Sequence, residues 1–374
     1  MSNAPLKGLK VLELARVLAG PWIGQTLADL GADVIKVEAP KGDETRHWGP
    51  PFVDVDGQPV ASYFLSCNRG KRSIVADFSL SEDLDRVKAL AATADVVIEN
   101  FKVGGLAKFG LDYASLSANN PRMIYASVTG FGQTGPYADR AGYDFMIQGM
   151  GGIMDLTGDP QGGPQKIGVA YADIFTGLYG VIGVQAALAE RAQSGQGQHL
   201  DLSLLDCLTG TLANQGLNYL STGLAPSRMG NAHPNIVPYA TFACADGHLI
   251  IAVGNDRQFQ RLCQVLTIEP GERFATNQDR LARRDELTSI IHTATQNWSR
   301  DDLLNALTEA GVPVGPINRV DQVFHDPQVV YRQMAINPQN TPGIRSPLMF
   351  SRSALDLSRR APLLGEHQTL NGWR

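Results

Sequence analysis

The sequence predicts an α/β protein with a doubly wound large domain and a smaller mixed domain. Three observations lead there. Apolar strand-like runs alternate with helical patterns through the first 130 residues, the pattern of a parallel sheet with crossover helices. From Gly142 the texture changes to Gly-rich turns and long apolar helices. A loop dense in Pro, Gly and Asn, APSRMGNAHPNIVPY at 225–239, then precedes about a hundred residues with their own hairpin and helices. The 374 residues suffice for two domains, and 43% apolar with 18% charged residues is an ordinary soluble balance.

Leu9–Leu14 (LKVLEL) reads as the first strand. Gly20-Pro21 opens a helix, with Pro suited to its first turn, and Gly31 ends it. Ala32–Glu38 is a second strand, completing a βαβ unit with parallel strands. Ser73–Asp77 is a strand, and Ser79 with Glu82 has capping-box spacing for a helix running to about Thr93. Asp95–Glu99 and Met123–Val128 are further strands. Val169–Arg191 forms one long helix closed near Gly195, Gln198–Ser203 a strand and Leu204–Ser221 another helix. In the smaller domain, Thr241–Val253 is a hairpin turned at Asp246-Gly247. Ser299 caps a helix with Asp302 in its first turn, and Gly311–Asn318 is a strand. These elements place the large domain at 1–224, the small domain at 225–336 and a returning segment at 337–374. No internal repeat is evident.

The net charge of −5 argues against a nucleic-acid partner, which calls for a basic surplus or stripe. Cys67, Cys207, Cys244 and Cys263 lie far apart without metal-ligand spacing, and no histidine stands in a metal-binding pair, so no metal site is expected. The N-terminal apolar run is too short for a signal peptide, and a cytoplasmic protein is expected. Val169–Leu188 is about as long as a bilayer span, but it carries Asp173, Thr176 and Gln185. A charge within a span is costly, so a buried core helix is preferred and no membrane partner is expected. The first βαβ unit lacks a GxGxxG turn, and GFGQTG at 130–135 is followed by Pro136 rather than a helical pattern, which argues against a nicotinamide or flavin site.

Asp173 is the most informative position. Apart from the phenols of Tyr171 and Tyr179, it is the only ionisable side chain between Lys166 and Glu190. It lies in the first turns of an apolar helix, among Gly168, Ala170, Ala172 and Gly177. A helix N-terminus stabilises an anion, and small neighbours leave room for a ligand. A carboxylate nucleophile needs an ionised oxygen, partial desolvation and open space. Spacing alone favours a capping or salt-bridged aspartate. No GxSxG elbow offers a serine nucleophile. Lys71, Arg72, Lys102, Lys108 and Arg140 are candidate phosphate contacts. Asn100–Lys102 falls at the carboxyl end of a strand, where ligands gather in parallel sheets. Phe101 could pack against an adenine ring.

The segments LAGPWIGQTLADLGADVIKVEAP, NRGKRSIVADF, DVVIENFKVGGLAKFGLDY, RAGYDFMIQGMGGIMDLTG, ADIFTGLYG and the late PLLGEH, with others, run in order nearly end to end. In that combination the chain resembles the class III coenzyme A transferases, the formyl-CoA transferase or CaiB–BaiF type. The resemblance implies a Rossmann-like large domain, a smaller domain and an obligate homodimer of interlocked chains. It implies that Asp173, in ADxxTG, is the nucleophile. The family's CoA contacts map onto Val17, Leu18 and Ala19, onto Ala76, Asp77, Phe78 and Ser79, and onto Asn100, Phe101, Lys102, Lys108 and Arg140. Coenzyme A or an acyl-CoA is then a substrate, and no tightly bound cofactor is expected.

Departures from the family pattern refine the expectation. Leu18 stands where formyl-CoA transferases carry glutamine, Ala39 where they carry arginine, and GNAHPNIVPY replaces their glycine-rich lid. A formyl/oxalyl substrate pair is therefore disfavoured. The related α-methylacyl-CoA racemases use a histidine where this chain has Tyr143, which favours transfer over racemisation. Tyr143 is counted among the CoA-site residues. The loop SRMGNAHPNIVPY resembles relatives that use succinyl-CoA and other dicarboxylates. Arg46, His47, Arg228 and His233 are the candidate acceptor residues, since arginine pairs bidentately with carboxylates. Gly149–Gly152 and Gly230–His233 are candidate oxyanion donors. A racemase or a non-catalytic CoA-ester binding protein are the alternative functions.

Overall fold

The computed structural model describes residues 3–369 and 372–374. The chain divides into two compact units. One comprises the residues up to Met154, Lys166–Ala225 and those from Pro327 on; the other comprises Asp155–Gln165 and Pro226–Asp326. Residues 327–336, placed in the small domain from sequence, thus cluster with the large unit. The excursion 155–165, not separated from sequence, belongs to the smaller one.

In the large unit the chain runs β1 (Lys10–Glu13), α1 (Ala19–Asp29), β2 (Asp33–Glu38), the hairpin β3 (Phe52–Val55) and β4 (Gln58–Ala61), then α2 (Ser62–Cys67) and β5 (Arg72–Val75). It continues with α3 (Ser81–Ala91), β6 (Val96–Glu99), α4 (Tyr113–Ser117), β7 (Ile124–Thr129), α5 (Asp144–Met150) and the one-turn α6 (Ile153–Leu156). After the first excursion come α7 (Tyr171–Ser194), β8 (His199–Ser203), α8 (Leu204–Gly210) and α9 (Ala213–Thr222). Six strands form a parallel sheet in the order β5-β2-β1-β6-β7-β8.

Alternation along each strand feeds two cores. Val11, Val34, Val96 and Ile98 pack with Ile23 and Leu27 of α1 and Val184 and Ala187 of α7. Their neighbours Leu12, Ile35 and Val97 pack with Val87 and Leu90 of α3 and Leu116 of α4. Successive strands run outward from β1 to β5, and β6 then returns to the other side of β1. The strand order therefore reverses between β1 and β6, and the crevice beyond their carboxyl ends is where such sheets take ligands.

Two expectations for this unit are corrected. The Ser79/Glu82 capping box does not form. Ser79 turns back onto Asp77 Oδ1 through its N–H (2.9 Å) and hydroxyl (2.7 Å), and α3 starts at Ser81 without a side-chain cap. Leu204–Ser221 is two helices, broken where Ala213 takes a positive φ of 45°. The edge strand β5 is covered by the chain's last residues. His367 N–H reaches Ser73 O (2.9 Å), and the Gln368 amide pairs with both backbone groups of Val75 (2.8 and 3.0 Å).

The smaller unit holds β9 (Tyr239–Ala243), β10 (His248–Ala252), α10 (Asp256–Leu266), α11 (Asn277–Ala282), α12 (Arg284–Thr295), α13 (Arg300–Glu309) and β11 (Val314–Pro316). Its antiparallel sheet, β11-β10-β9, packs on the helices through Phe242, Leu249, Ile251, Phe259, Leu287 and Leu303. Ser299 caps α13 as its sequence predicts, accepting the Asp302 N–H at 3.2 Å.

Candidate active site

A cleft open to solvent lies at the sheet's switch point. One wall is the loop from β1 to α1, Arg16–Ala19; another is Asn100–Val103, leaving β6. Asn100 ties the two together, accepting the Arg16 N–H (3.0 Å) and donating to Arg16 O (2.7 Å). Val17 is held at φ +69°, a rare conformation for a β-branched residue. Its N–H donates to Asp43 Oδ2 at 3.2 Å. Asp43 is anchored from behind by Lys36 (3.0 Å), which also reaches Glu13 (3.2 Å) and Ala15 O (2.7 Å). Burial opposes the charge on Lys36, but Glu13 and Asp43 outweigh it and hold its pKa above the ordinary lysine value. The first turn of α1 opens on the cleft with no side-chain cap, leaving its orphan N–H groups and positive dipole end facing any ligand there.

Asp173 lies on the same cleft, in the first turn of α7. Small residues let α7 press against α1. A Cβ on Gly177 would meet the Trp22 side chain at 2.9 Å, and one on Gly180 would drive into Ile23. Asp173 is 9% exposed, and its carboxylate makes no hydrogen bond or ion pair with another side chain among the described residues. Burial, and secondly the charge of Asp144, push its pKa up to about 7. A desolvated carboxyl without a partner contributes little to holding the fold, and perturbed groups of this kind cluster at functional sites.

Of the residues expected to contact CoA, Val17, Leu18, Ala19, Asn100, Phe101, Lys102, Arg140 and Tyr143 line this cleft with Asp173. Ala76, Asp77 and Phe78 line a second hollow with Ala39, Pro40 and Phe109, and Phe101 forms a wall of both. Ser79 and Lys108 line neither hollow; Lys108 lies over the Phe109 ring, 4.7 Å from its centroid.

Three basic residues are corrected. Lys71 is 2% exposed, and its ammonium is taken up by Glu13, Asn68 Oδ1 and Pro21 O at 2.8–2.9 Å. Arg72 is buried in an ion pair with Asp33. Arg46 grips Glu38 through two nitrogens (2.7 and 2.8 Å) and stacks over Phe64. None of the three has a face left for phosphate or a substrate carboxylate. His47 is exposed and lines neither of these hollows. Arg228 and His233 belong to the smaller unit. There Arg228 approaches Asp155 at 3.9 Å with Nε and Nη1 buried and unbonded, and His233 Nδ1 accepts the Asn235 N–H at 3.1 Å. Gly149–Gly152 do not line the cleft, whereas the capless start of α1 does.

Sequence reasoning missed Asp144, Gln148, Tyr63 and Arg16. Asp144 begins α5 and accepts the N–H groups of Ala172 (2.8 Å) and Asp173 (3.4 Å) at the start of α7. Its place beside Tyr143 in RAGYDFM was the available signal. Burial, and secondly the charge of Asp173, hold the phenol of Tyr63, on α2, above its ordinary value. No local pattern marks it, because α2 follows the unanticipated β3–β4 hairpin. Arg16 lines the cleft and pairs at the surface with Glu44 (3.1 Å).

CoA-transferase family III matches residues 6–368. The chain is 56% identical to a succinate–glutarate CoA-transferase of Agrobacterium fabrum, over 97% of this chain and 94% of that protein. It is 38% identical to the human succinyl-CoA:glutarate CoA-transferase, over 98% and 84%. A crystal structure of a CAIB/BAIF family protein from Brucella suis superposes with a TM-score of 0.90 at 62% identity, covering 98% of both chains.

Proposed function

The chain belongs to CoA-transferase family III and is an enzyme that transfers coenzyme A, and from that premise we propose that it moves CoA between dicarboxylic acids through covalent intermediates on Asp173. The observation that carries the mechanism is the unpaired, nine-tenths-buried carboxyl of Asp173 on the cleft at the switch point. The dicarboxylate reading is supported by relatives named for succinate and glutarate. Succinyl-CoA is the donor proposed.

The ionised Asp173 oxygen attacks the donor thioester carbonyl, giving an aspartyl–acyl anhydride and CoA thiolate. The thiolate attacks the aspartyl carbonyl, releasing the donor acid and leaving an aspartyl-CoA thioester. The acceptor carboxylate then displaces CoA thiolate, forming a second anhydride. Attack of that thiolate on the acceptor's acyl carbonyl gives the new acyl-CoA and restores Asp173. Each addition develops an oxyanion, and the capless N-terminus of α1 supplies preorganised donors for it. Lys102, Arg140 and Arg16 are the cleft cations available to phosphate and substrate carboxylates.

Incubation with succinyl-CoA and hydroxylamine, followed by peptide mass spectrometry, should mark Asp173. Full transferase activity in Asp173→Ala would sink the mechanism. An acceptor screen of succinate, glutarate, itaconate, malate, mesaconate and 3-hydroxy-3-methylglutarate against monocarboxylates tests the substrate class, and turnover of monocarboxylates alone overturns it.

A homodimer in the cytoplasm belongs to the same proposal. Phe145 of α5, Ile182 of α7 and Leu217 and Leu220 of α9 are large apolar side chains at least 60% exposed in the single chain, the kind of surface a second copy covers. Helix α7 is long and apolar enough to cross a bilayer by length and composition, yet it packs against α1, α5, α8 and the sheet. Sedimentation of a monomer at micromolar concentration would overturn the dimer.

A further inference from the structure

Resting on the proposed role of Asp173, we propose that Gln148 is a positioning residue for the reaction. It fixes the Asp144 carboxylate, and Asp144 in turn fixes the backbone and the charge environment of the nucleophile.

Gln148 lies one turn after Asp144 on α5 and is fully buried. Its Nε2 donates to Asp144 Oδ2 at 2.7 Å and approaches Val169 O at 3.3 Å; its Oε1 accepts the Ile167 N–H at 2.9 Å. One amide thus holds both the carboxylate and the segment that leads into α7. The other oxygen of Asp144 accepts the N–H groups of Ala172 and Asp173. No side chain of its own N-cap residue caps α7, so this cap is supplied from another helix.

A neutral amide suits the position. A carboxylate at 148 would repel Asp144, and an apolar side chain would leave the Ile167 N–H and one Asp144 oxygen without their partner in a half-buried setting. The arrangement has a chemical effect besides a structural one. Asp144 accepts hydrogen bonds at both oxygens, which fixes it beside Asp173, where burial and secondly the Asp144 charge push the Asp173 pKa up to about 7. The groups facing Asp173 are consistent with this. Asp144 comes from α5, Tyr63 from α2 and Cys207 from α8, where it bonds Thr176 one turn along; α1 offers no charged side chain in its first turn. Arg16, Lys102 and Arg140 are the cations elsewhere on the cleft.

The test is single-turnover formation of the Asp173 adduct from succinyl-CoA, followed by mass spectrometry from pH 5 to 9. Wild type, Gln148→Leu, Gln148→Glu and Asp144→Asn are compared. Asp144→Asn keeps an oxygen acceptor for α7 but loses the charge, and its acid limb should move down by about half a unit or more. Gln148→Glu should move the limb up. Gln148→Leu should slow adduct formation about tenfold or more, with the KM for succinyl-CoA within about threefold of wild type. Unchanged rates and limbs in the folded Gln148→Glu and Asp144→Asn proteins overturn the inference, even if Gln148→Leu does not fold. Absence of an Asp173 adduct in the wild type would overturn the reading on which it rests, a separate outcome.

Discussion

Val17 holds a left-handed backbone at φ +69° while its N–H donates to Asp43 Oδ2 at 3.2 Å. The carboxylate that takes this N–H is held from within the core by Lys36. A β-branched residue in this region costs on the order of 1–3 kcal/mol, so the surrounding contacts must enforce the turn. The turn in question is the one that aims the start of α1 into the cleft.

Val17→Gly removes the strain but adds chain entropy to the unfolded state, so its stability should lie within about 1 kcal/mol of wild type. Asp43→Ala leaves Lys36 short of a partner and should cost about 3 kcal/mol. Urea denaturation of both variants checks the contrast. A Val17→Gly protein as unstable as Asp43→Ala would show that the turn is not strained.

Lys71 and Arg140 should part company in their effects. Lys71→Met leaves Glu13 buried with less compensation and should destabilise by about 3 kcal/mol. Arg140→Ala lies at an exposed cleft wall, stacked near Tyr137. It should leave the melting temperature unchanged and raise the KM for acyl-CoA about tenfold. Initial-rate kinetics beside thermal melts decide it, and a reversal of the two phenotypes refutes the assignment.

The raised pKa of Asp173 has a definite sign for stability. The fold favours the protonated form, so no penalty exists below the ordinary value of 3.8. The penalty grows as the pH rises toward about 7 and is constant above it. Its full size is of the order of 4 kcal/mol at about 1.4 kcal/mol per unit. Asp173→Asn should therefore be more stable than wild type, with the gain growing between pH 4 and pH 7 and level from pH 8. A gain that shrinks with rising pH would contradict the burial argument.

Gly180 lets α7 approach α1, and a Cβ there would meet Ile23 Cγ1 at 2.8 Å. Gly180→Ala should cost about 1–3 kcal/mol through overpacking. Ile23→Val made in the same chain should recover part of it. A double-mutant cycle measures this coupling, and strict additivity would count against direct contact.

Much of this was legible in the sequence, for identifiable reasons. Strands with runs such as VLEL and DVIKVE fill a parallel sheet covered on both faces, so their apolar character survives any detail of packing. Asp173 stood out because a lone carboxyl in an apolar helix is expensive. Charge, by contrast, was misread. Lys71, Arg72 and Arg46 look like a basic rim when only neighbours in sequence are visible. Glu13 and Asp33 come from other strands, and only the parallel register brings them to Lys71 and Arg72, while Glu38 ends β2 and the turn after it folds Arg46 back eight residues later. Gln148 was invisible for the same reason: a glutamine in a helix gives no local sign that it bonds three separate backbone and side-chain groups.

The covering of β5 by Gln368 and His367 also bears on how the chain is made. Ser73 and Val75 emerge early, yet the groups that satisfy their outer edge are nearly 300 residues away. At a synthesis rate of roughly 5–20 residues per second, that edge waits about 15–60 s for its partner. During translation an open strand of this sort is a template for wrong pairing, and a ribosome-bound chain would be the form most in need of a chaperone.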